Sequence, residues 1–206
     1  MRIAILIFDE LTALDAIGPY EVLSRLPASE LHFVAKERGL KRTDTGALGL
    51  SADRELYEVA DPDVLLVPGG QGNRPLLDDD EVLEWVRGAH ETSTWTTSVC
   101  TGALVLGAAG ILHGKRATTH WAFIDRLAEF GATPVGDRVV EDGKVMTAAG
   151  VSAGIDMALT LAARIAGEDF AKAVQLGIEY DPQPPFDAGT PAKASPELVD
   201  LARRAV

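Results

Sequence analysis

The chain has one cysteine, Cys100, and four histidines among 206 residues. A single thiol excludes an intrachain disulfide and any site built on several cysteines. No H-x-x-x-H, H-E-x-x-H or close Cys/His pair occurs, so neither a metal ion nor another cofactor is expected. Basic residues are scarce as well. Nineteen Lys and Arg face 31 Asp and Glu, for a formal net charge of −12. Such a surface lacks the cationic footprint of a nucleic-acid binder and disfavours anionic membranes. No segment approaches the roughly 18–20 apolar residues that cross a bilayer. The opening "RIAILIF" is followed at once by Asp9, Glu10 and Asp15, without a small-residue cleavage site, so it reads as a buried strand and the expected location is the cytoplasm. No G-x-G-x-x-G follows that strand, and "GGQGNR" (69–74) lacks the Lys-Ser/Thr of a phosphate loop.

What is present is a recurring unit. "RIAILIF" (2–8) leads into "DAIGPYEVLSRL" (15–26), and "DVLLVPGG" (63–70) into "DEVLEWVRGAHE" (80–91). "TWTTSV" (94–99) leads into "CTGALVLGAAG" (100–110), and "KVMTAAG" (144–150) into "VSAGIDMALTLAARIAG" (151–167). Apolar strands alternating with helices predict an α/β fold, a central, mostly parallel sheet covered on both faces. "ELHFVAK" (30–36) reads as a further strand, "LKRTDTGALGLSAD" (40–53) as a polar hairpin or excursion, and "ATPVGDRVVEDGKVMTA" (132–148) as short strands turning at "EDGK". One domain is expected over 1–206. It carries a Pro-rich tail (180–194) and a short last helix (195–206) capped by Ser195 with Pro196 behind it.

In an open parallel sheet the carboxyl ends of the strands form the binding edge. The residues just past four strand ends are Asp15 to Pro19, Pro68 to Gly72, Cys100 to Gly102, and Ala148 to Ser152. Cys100 stands at a strand-to-helix corner followed by small residues, the layout of a nucleophile elbow. There the thiol would face unpaired N–H groups that favour a thiolate; the alternative is an inert buried thiol. "VPGG" (67–70) reads as an anion cradle or as an ordinary tight turn, and Asp15 as a site carboxylate or as a helix cap. Glu21 reads as a solvated helix residue. His32 falls in a strand, His90 ends a polar helix, and His113 lies in a surface turn. His120, in "RATTHWAFIDRL" (116–127), begins a helix for which Thr118 and Thr119 are candidate caps. It reads as a packing residue or pocket wall, with a role as base the alternative.

The stretches "PGG", "SVCTGALVLGAAGIL" and "GKRATTHW" resemble the ThiJ/PfpI superfamily. "LDAIGPYEVLSRLP" (14–27), "GVSAGIDMALTLAA" (150–163) and "VQLGIEYDPQPPFDAGTP" (174–191) are similar to its isocyanide-hydrating branch. The resemblance implies a flavodoxin-like three-layer sandwich of the class I glutamine amidotransferase-like kind, with homodimerisation usual. Peptidase-like members place His directly after the cysteine. Thr101 stands there instead, which argues against proteolysis, and the amidotransferases' downstream His-x-Glu is absent too.

The activity implied is addition of water to a small-molecule isocyanide, giving an N-substituted formamide. Cys100 would add to the isocyanide carbon to form a thioimidate, with Asp15 as general acid and then base. Backbone donors at Gly69, Gly70 and Thr101, with the Thr101 hydroxyl, would hold developing charge. His120, Trp121, Ala149, Gly150, Val151 and Tyr180 are candidate pocket walls. A thiolate beside a protonated Asp15 is the expected resting form.

Two other readings share the motif. One is a ligand sensor similar to the domain fused to DNA-binding segments in AraC-type regulators. The chain's charge, and its end at residue 206 without such a segment, count against it. The other is a redox-responsive protein in which Cys100 oxidises beside a carboxyl.

Overall fold

The computed structural model describes residues 1–204. Its main sheet has seven strands: β1 (Arg2–Leu6), β2 (Glu30–Ala35), β5 (Arg54–Glu55), β6 (Val64–Val67), β7 (Trp95–Val99), β10 (Val139–Asp142) and β11 (Val145–Ala148). Their spatial order is β10-β11-β7-β6-β1-β2-β5. All neighbours are parallel except β10, which returns antiparallel on β11 through the expected turn at 142–145. Strand β6, "VLLV", is apolar and buried at every position because both faces of the sheet are covered, while its neighbour β7 buries the polar Thr96, Thr97 and Ser98.

The helices are α1 (Ala13–Leu23), α2 (Asp80–Thr92), α3 (Gly102–Ala108), α4 (Ala153–Ala166), α5 (Glu168–Gly177) and α6 (Pro196–Arg203). Helix α4 packs on both α1 and α5 over one face, while α2 and α3 sit together over the other. The α1–α4 approach is close because Gly18 carries no side chain; a Cβ there would lie 3.0 Å from Ile155 Cγ1. Strands β3 (Gly39–Arg42) and β4 (Gly49–Ala52) make the expected hairpin outside the main sheet, and β8 (Arg116–Ala117) pairs with β9 (Thr133–Pro134).

Three features depart from the sequence-based expectation. Residues Trp121–Phe130 form successive 3-10 turns rather than an α-helix, ending at Gly131 in the left-handed conformation with φ of 72°. Helix α3 is shorter than the small-residue run implied, because Cys100 and Thr101 are consumed by the corner. The run over 151–167 does end at Gly167, but helix α5 follows directly across that glycine, where the sequence reading assigns no helix. Ser195 caps α6 by accepting the Leu198 N–H at 3.4 Å, as expected; residues 205–206 of that expected helix lie outside the described residues.

Chain order places a topological switch between β1 and β6. From β1 the chain moves one way to β2 and then returns to the other side of β1 to build β6, β7 and β11. Ligand crevices open at the carboxyl ends beside such a switch. The loops there are laced together: Thr12 N–H donates to Gly69 O at 2.9 Å, and Leu11 bridges both Thr43 and Gly70.

Gly102 is a severe packing demand at this edge, since an added Cβ would stand 2.1 Å from Val67 O and 2.8 Å from Pro68 O. Gly102→Ala is therefore expected to destabilise the protein by about 2–4 kcal/mol, in the range of a severe core mutation. Gly88→Ala, in the middle of α2 with nothing within 4 Å, is expected to stabilise by about 0.5–1 kcal/mol. Chemical denaturation of the two variants checks both signs.

Candidate active site

Cys100 occupies the corner between β7 and α3 with φ of 55°. A non-glycine residue in this region is strained, and such strain gathers at functional sites. The corner is held from several sides. Cys100 N–H donates to Ala148 O at 3.1 Å and Ala149 O at 2.9 Å. Its carbonyl accepts the Thr119 hydroxyl at 2.7 Å, and the next carbonyl, of Thr101, accepts Asn73 Nδ2 at 2.8 Å. Thr119 is thus not a helix cap. Nor is Thr118, whose N–H donates to Thr147 Oγ1; His120 Nδ1 accepts the Ala122 N–H instead.

Asp15 lies in the first turn of α1 and is completely buried. It is not the helix cap, a position held by Thr12. Its Oδ2 accepts the Gly69 N–H at 2.9 Å, Oδ1 has no hydrogen-bond partner among the described residues, and the Cys100 thiol neighbours the carboxyl. The carboxyl can come this close only because residue 69 is glycine: an added Cβ would lie 3.0 Å from Asp15 Oδ2 and 2.6 Å from Thr101 N. Burial raises Asp15 from 3.8 to about 7, against the lowering effect of the Gly69 and Cys100 hydrogen bonds.

Burial and then the charge of Asp15 push the Cys100 thiol up to about 12. Thr101 N–H, Val151 N–H and the Thr101 side chain face the sulfur and oppose that rise without cancelling it. The expected resting thiolate is therefore corrected to a thiol. Desolvation in the closed corner outweighs the donors, and two anions cannot share the corner. The expected cradle is corrected too. Gly69 N–H is taken by Asp15, and Gly70 N–H by Thr101 Oγ1 at 3.1 Å, so the donors turned to the sulfur come from Thr101 and Val151.

A cavity of about 320 Å³ opens beside the sulfur, and Cys100, Thr101, Leu104, His120, Phe123 and Val151 are among its lining residues. Of the expected wall residues, His120 and Val151 line it. Trp121 stacks behind His120 with ring centres 5.4 Å apart and lies under Arg203 at 5.1 Å. Ala149 supports the Cys100 backbone, and Gly150 lies against the His120 ring. Tyr180 is elsewhere: its hydroxyl donates to Asp156 Oδ2 at 3.1 Å, in a cluster with Arg138 that draws the tail onto α4. Burial lowers the pKa of His120, and its Nδ1 is occupied as an acceptor, so it is a neutral wall residue. His32, His90 and His113 stand away from the cavity. Asn73, Thr119 and Thr12 hold the corner and the cavity, yet the sequence pattern gave no signal for them beyond polar residues near a glycine run.

The DJ-1/PfpI family model matches residues 1–164. The chain belongs to the DJ-1/PfpI family. It is 48% identical over 204 residues to the isonitrile hydratase of Pseudomonas putida, covering 99% of this chain and 89% of that protein. A crystal structure of a ThiJ/PfpI family protein from Pseudomonas syringae superposes with a TM-score of 0.96 at 36% identity, covering 100% of this chain and 85% of that one. The HTH-type transcriptional regulator CdhR of Pseudomonas aeruginosa is 30% identical over 169 residues, 80% of this chain but 49% of that protein. The flavodoxin-like arrangement is thus a DJ-1/PfpI fold. Among the described residues no group of His, Cys, Asp and Glu could hold a metal ion, and no helix is long and apolar enough to cross a membrane.

The folded protein binds the Asp15 proton more tightly than the unfolded chain does. The stability this confers is complete below about pH 4 and is lost as pH rises through about 7. Asp15→Asn keeps an acceptor for Gly69 without the buried charge. Relative to wild type it is expected to gain up to about 4 kcal/mol between acidic pH and about pH 8, the value of moving a carboxyl from 3.8 to about 7. Urea denaturation at the two pH values checks this; a constant difference would sink the raised Asp15.

Proposed function

We propose that this DJ-1/PfpI chain hydrates isocyanides to N-substituted formamides through a covalent Cys100 thioimidate. The observation that carries the reading is the pairing of the sole thiol with a fully buried carboxyl beside a cavity, without a histidine on the sulfur. The likeness to an isonitrile hydratase along the whole chain supports it.

The steps follow from the neutral thiol. Asp15, ionised, draws the thiol proton as the sulfur attacks the terminal carbon of R–N≡C, so a free thiolate never accumulates. Thr101 N–H, Val151 N–H and the Thr101 side chain hold the charge that passes over the sulfur. Protonated Asp15 then gives its proton to the former isocyanide carbon, which yields R–N=CH–S–Cys100. Asp15, again ionised, takes a proton from water as its oxygen adds to that carbon, and passes that proton to the nitrogen, which becomes N–H. Collapse of R–NH–CH(OH)–S breaks the C–S bond, releases R–NH–CHO, and returns the thiol proton. One carboxyl alternates between base and acid without net loss. The overall reaction is that of a cysteine-dependent hydro-lyase.

Cys100→Ala is expected to abolish formamide production from a simple alkyl isocyanide, measured by chromatography. Asp15→Asn is expected to lower kcat about 10²–10⁴-fold, the usual worth of a positioned acid–base group. Full turnover by either variant would end this reading. Because attack requires ionised Asp15, kcat/KM should rise with pH through an apparent pKa of about 7 belonging to the Asp15–Cys100 pair, and this limb should vanish in Asp15→Asn.

A further inference from the structure

The cavity has a mixed lining. Cys100 and the apolar Leu104, Phe123 and Val151 share it with two guanidiniums, Arg74 and Arg126, from two different segments. Arg74 lies in the 3-10 turns that follow β6, is exposed, and has no carboxylate partner among the described residues. Arg126 comes from the 3-10 turns after His120. Its partner is Glu129, three residues along the same segment, at 3.3 Å, with both side chains largely in solvent. A surface pair of that kind holds a guanidinium only weakly. Asp44 stands on the same cavity wall, but its oxygens are engaged by the Thr12 hydroxyl at 2.9 Å and the Thr45 N–H at 2.8 Å. Among the charged residues that line the cavity, two guanidiniums stand against one carboxylate, with Glu129 outside the lining, on a chain whose net charge is −12.

A neutral, hydrophobic substrate would gain nothing from such a pair of guanidiniums. We propose that the cavity selects isocyanides whose substituent ends in an anion, a carboxylate above all, with the isocyanide carbon at Cys100 and the carboxylate between Arg74 and Arg126. The inference rests on the hydratase reading and gives it a substrate class. Guanidinium forks match carboxylates bidentately, and the apolar lining residues accommodate the connecting carbon skeleton.

The test compares isocyanoacetate, 3-isocyanopropanoate and 4-isocyanobutanoate with their methyl esters on the full chain. For at least one chain length, kcat/KM of the acid should exceed that of its ester about tenfold, the worth of a charge-assisted bond at a partly solvated site. The excess should shrink with added salt. In the Arg74→Gln/Arg126→Gln double variant the acid-to-ester ratio should fall to about one. Equal rates for acid and ester at every length would overturn the proposal, as would a preference retained by the double variant. A second measurement separates it from the hydratase reading. Cys100 is alkylated with iodoacetate and with iodoacetamide. The iodoacetate-to-iodoacetamide rate ratio should drop several-fold in the double variant, and an unchanged ratio overturns the anion-selecting cavity whether or not either isocyanide series turns over. Absence of formamide from both acids and esters, with the ratio still falling, would overturn the hydratase reading and leave an anion-selecting cavity.

Discussion

A carboxyl and a thiol that cannot both be charged in the same dry corner set the terms for the rest of this structure. Asp15 is fully buried, and so is all but a sliver of Cys100. An isolated carboxylate at such depth is costly, so the protein supplies it with the Gly69 N–H and lets its titration move toward neutrality. The same burial denies the sulfur a resting negative charge. The proposed chemistry at this corner therefore begins from a pair whose proton sits on the sulfur, in contrast to the free thiolate that a helix N-terminus alone would favour.

The fold makes that pair possible through close approaches between loops that are distant in sequence. The loop after β1 brings Asp15, the loop after β6 brings Gly69 and Gly70, and the corner after β7 brings Cys100. All three lie at the carboxyl edge beside the topological switch. Backbone bonds such as Thr12 N–H to Gly69 O fix the loops to one another, so the site inherits the rigidity of the sheet. Small residues at 69 and 102 are what this geometry demands, because a methyl group at either would meet main-chain atoms at less than 3.0 Å. The strained φ of Cys100 is then over-determined by the bonds to Ala148, Ala149, Thr119 and, one residue on, Asn73.

Much of this was legible in the sequence. Apolar runs followed by glycine turns and helices specify a parallel sheet because strands buried on both faces leave no polar alternation, as in "VLLV". The edge that binds follows from that topology, and with it the convergence of Asp15, Gly69 and Cys100. Less legible were features set by long-range hydrogen bonding. Thr118 and Thr119 look like caps locally, yet one backs Thr147 and the other the Cys100 carbonyl. The glycine amides at 69 and 70 read as a free cradle, but their acceptors come from α1 and from Thr101. Protonation was the least legible of all. A helix N-terminus is visible in sequence, whereas the desolvation that overrides it depends on how completely the corner closes. Tyr180 falls in the same class: nothing local shows that Asp156 and Arg138 draw it away from the cavity.

A histidine-activated cysteine would serve the proposed hydration less well than the pair described. In addition to an isocyanide, sulfur and hydrogen end on the same carbon. The reaction consumes one thiol as a whole, and a base that held the proton as a stable cation would have to release it again at that atom. A carboxyl raised to about 7 by burial is poised for both transfers, being acidic enough to give the proton up and basic enough to take it from sulfur. Thr101 and Val151 need only steady the sulfur for the interval between. Seen this way, the thiol value of about 12 is no obstacle to nucleophilic attack. In the proposed hydration it keeps on the sulfur the proton that the product carbon would carry, and would tie that proton's release to the arrival of substrate in the cavity.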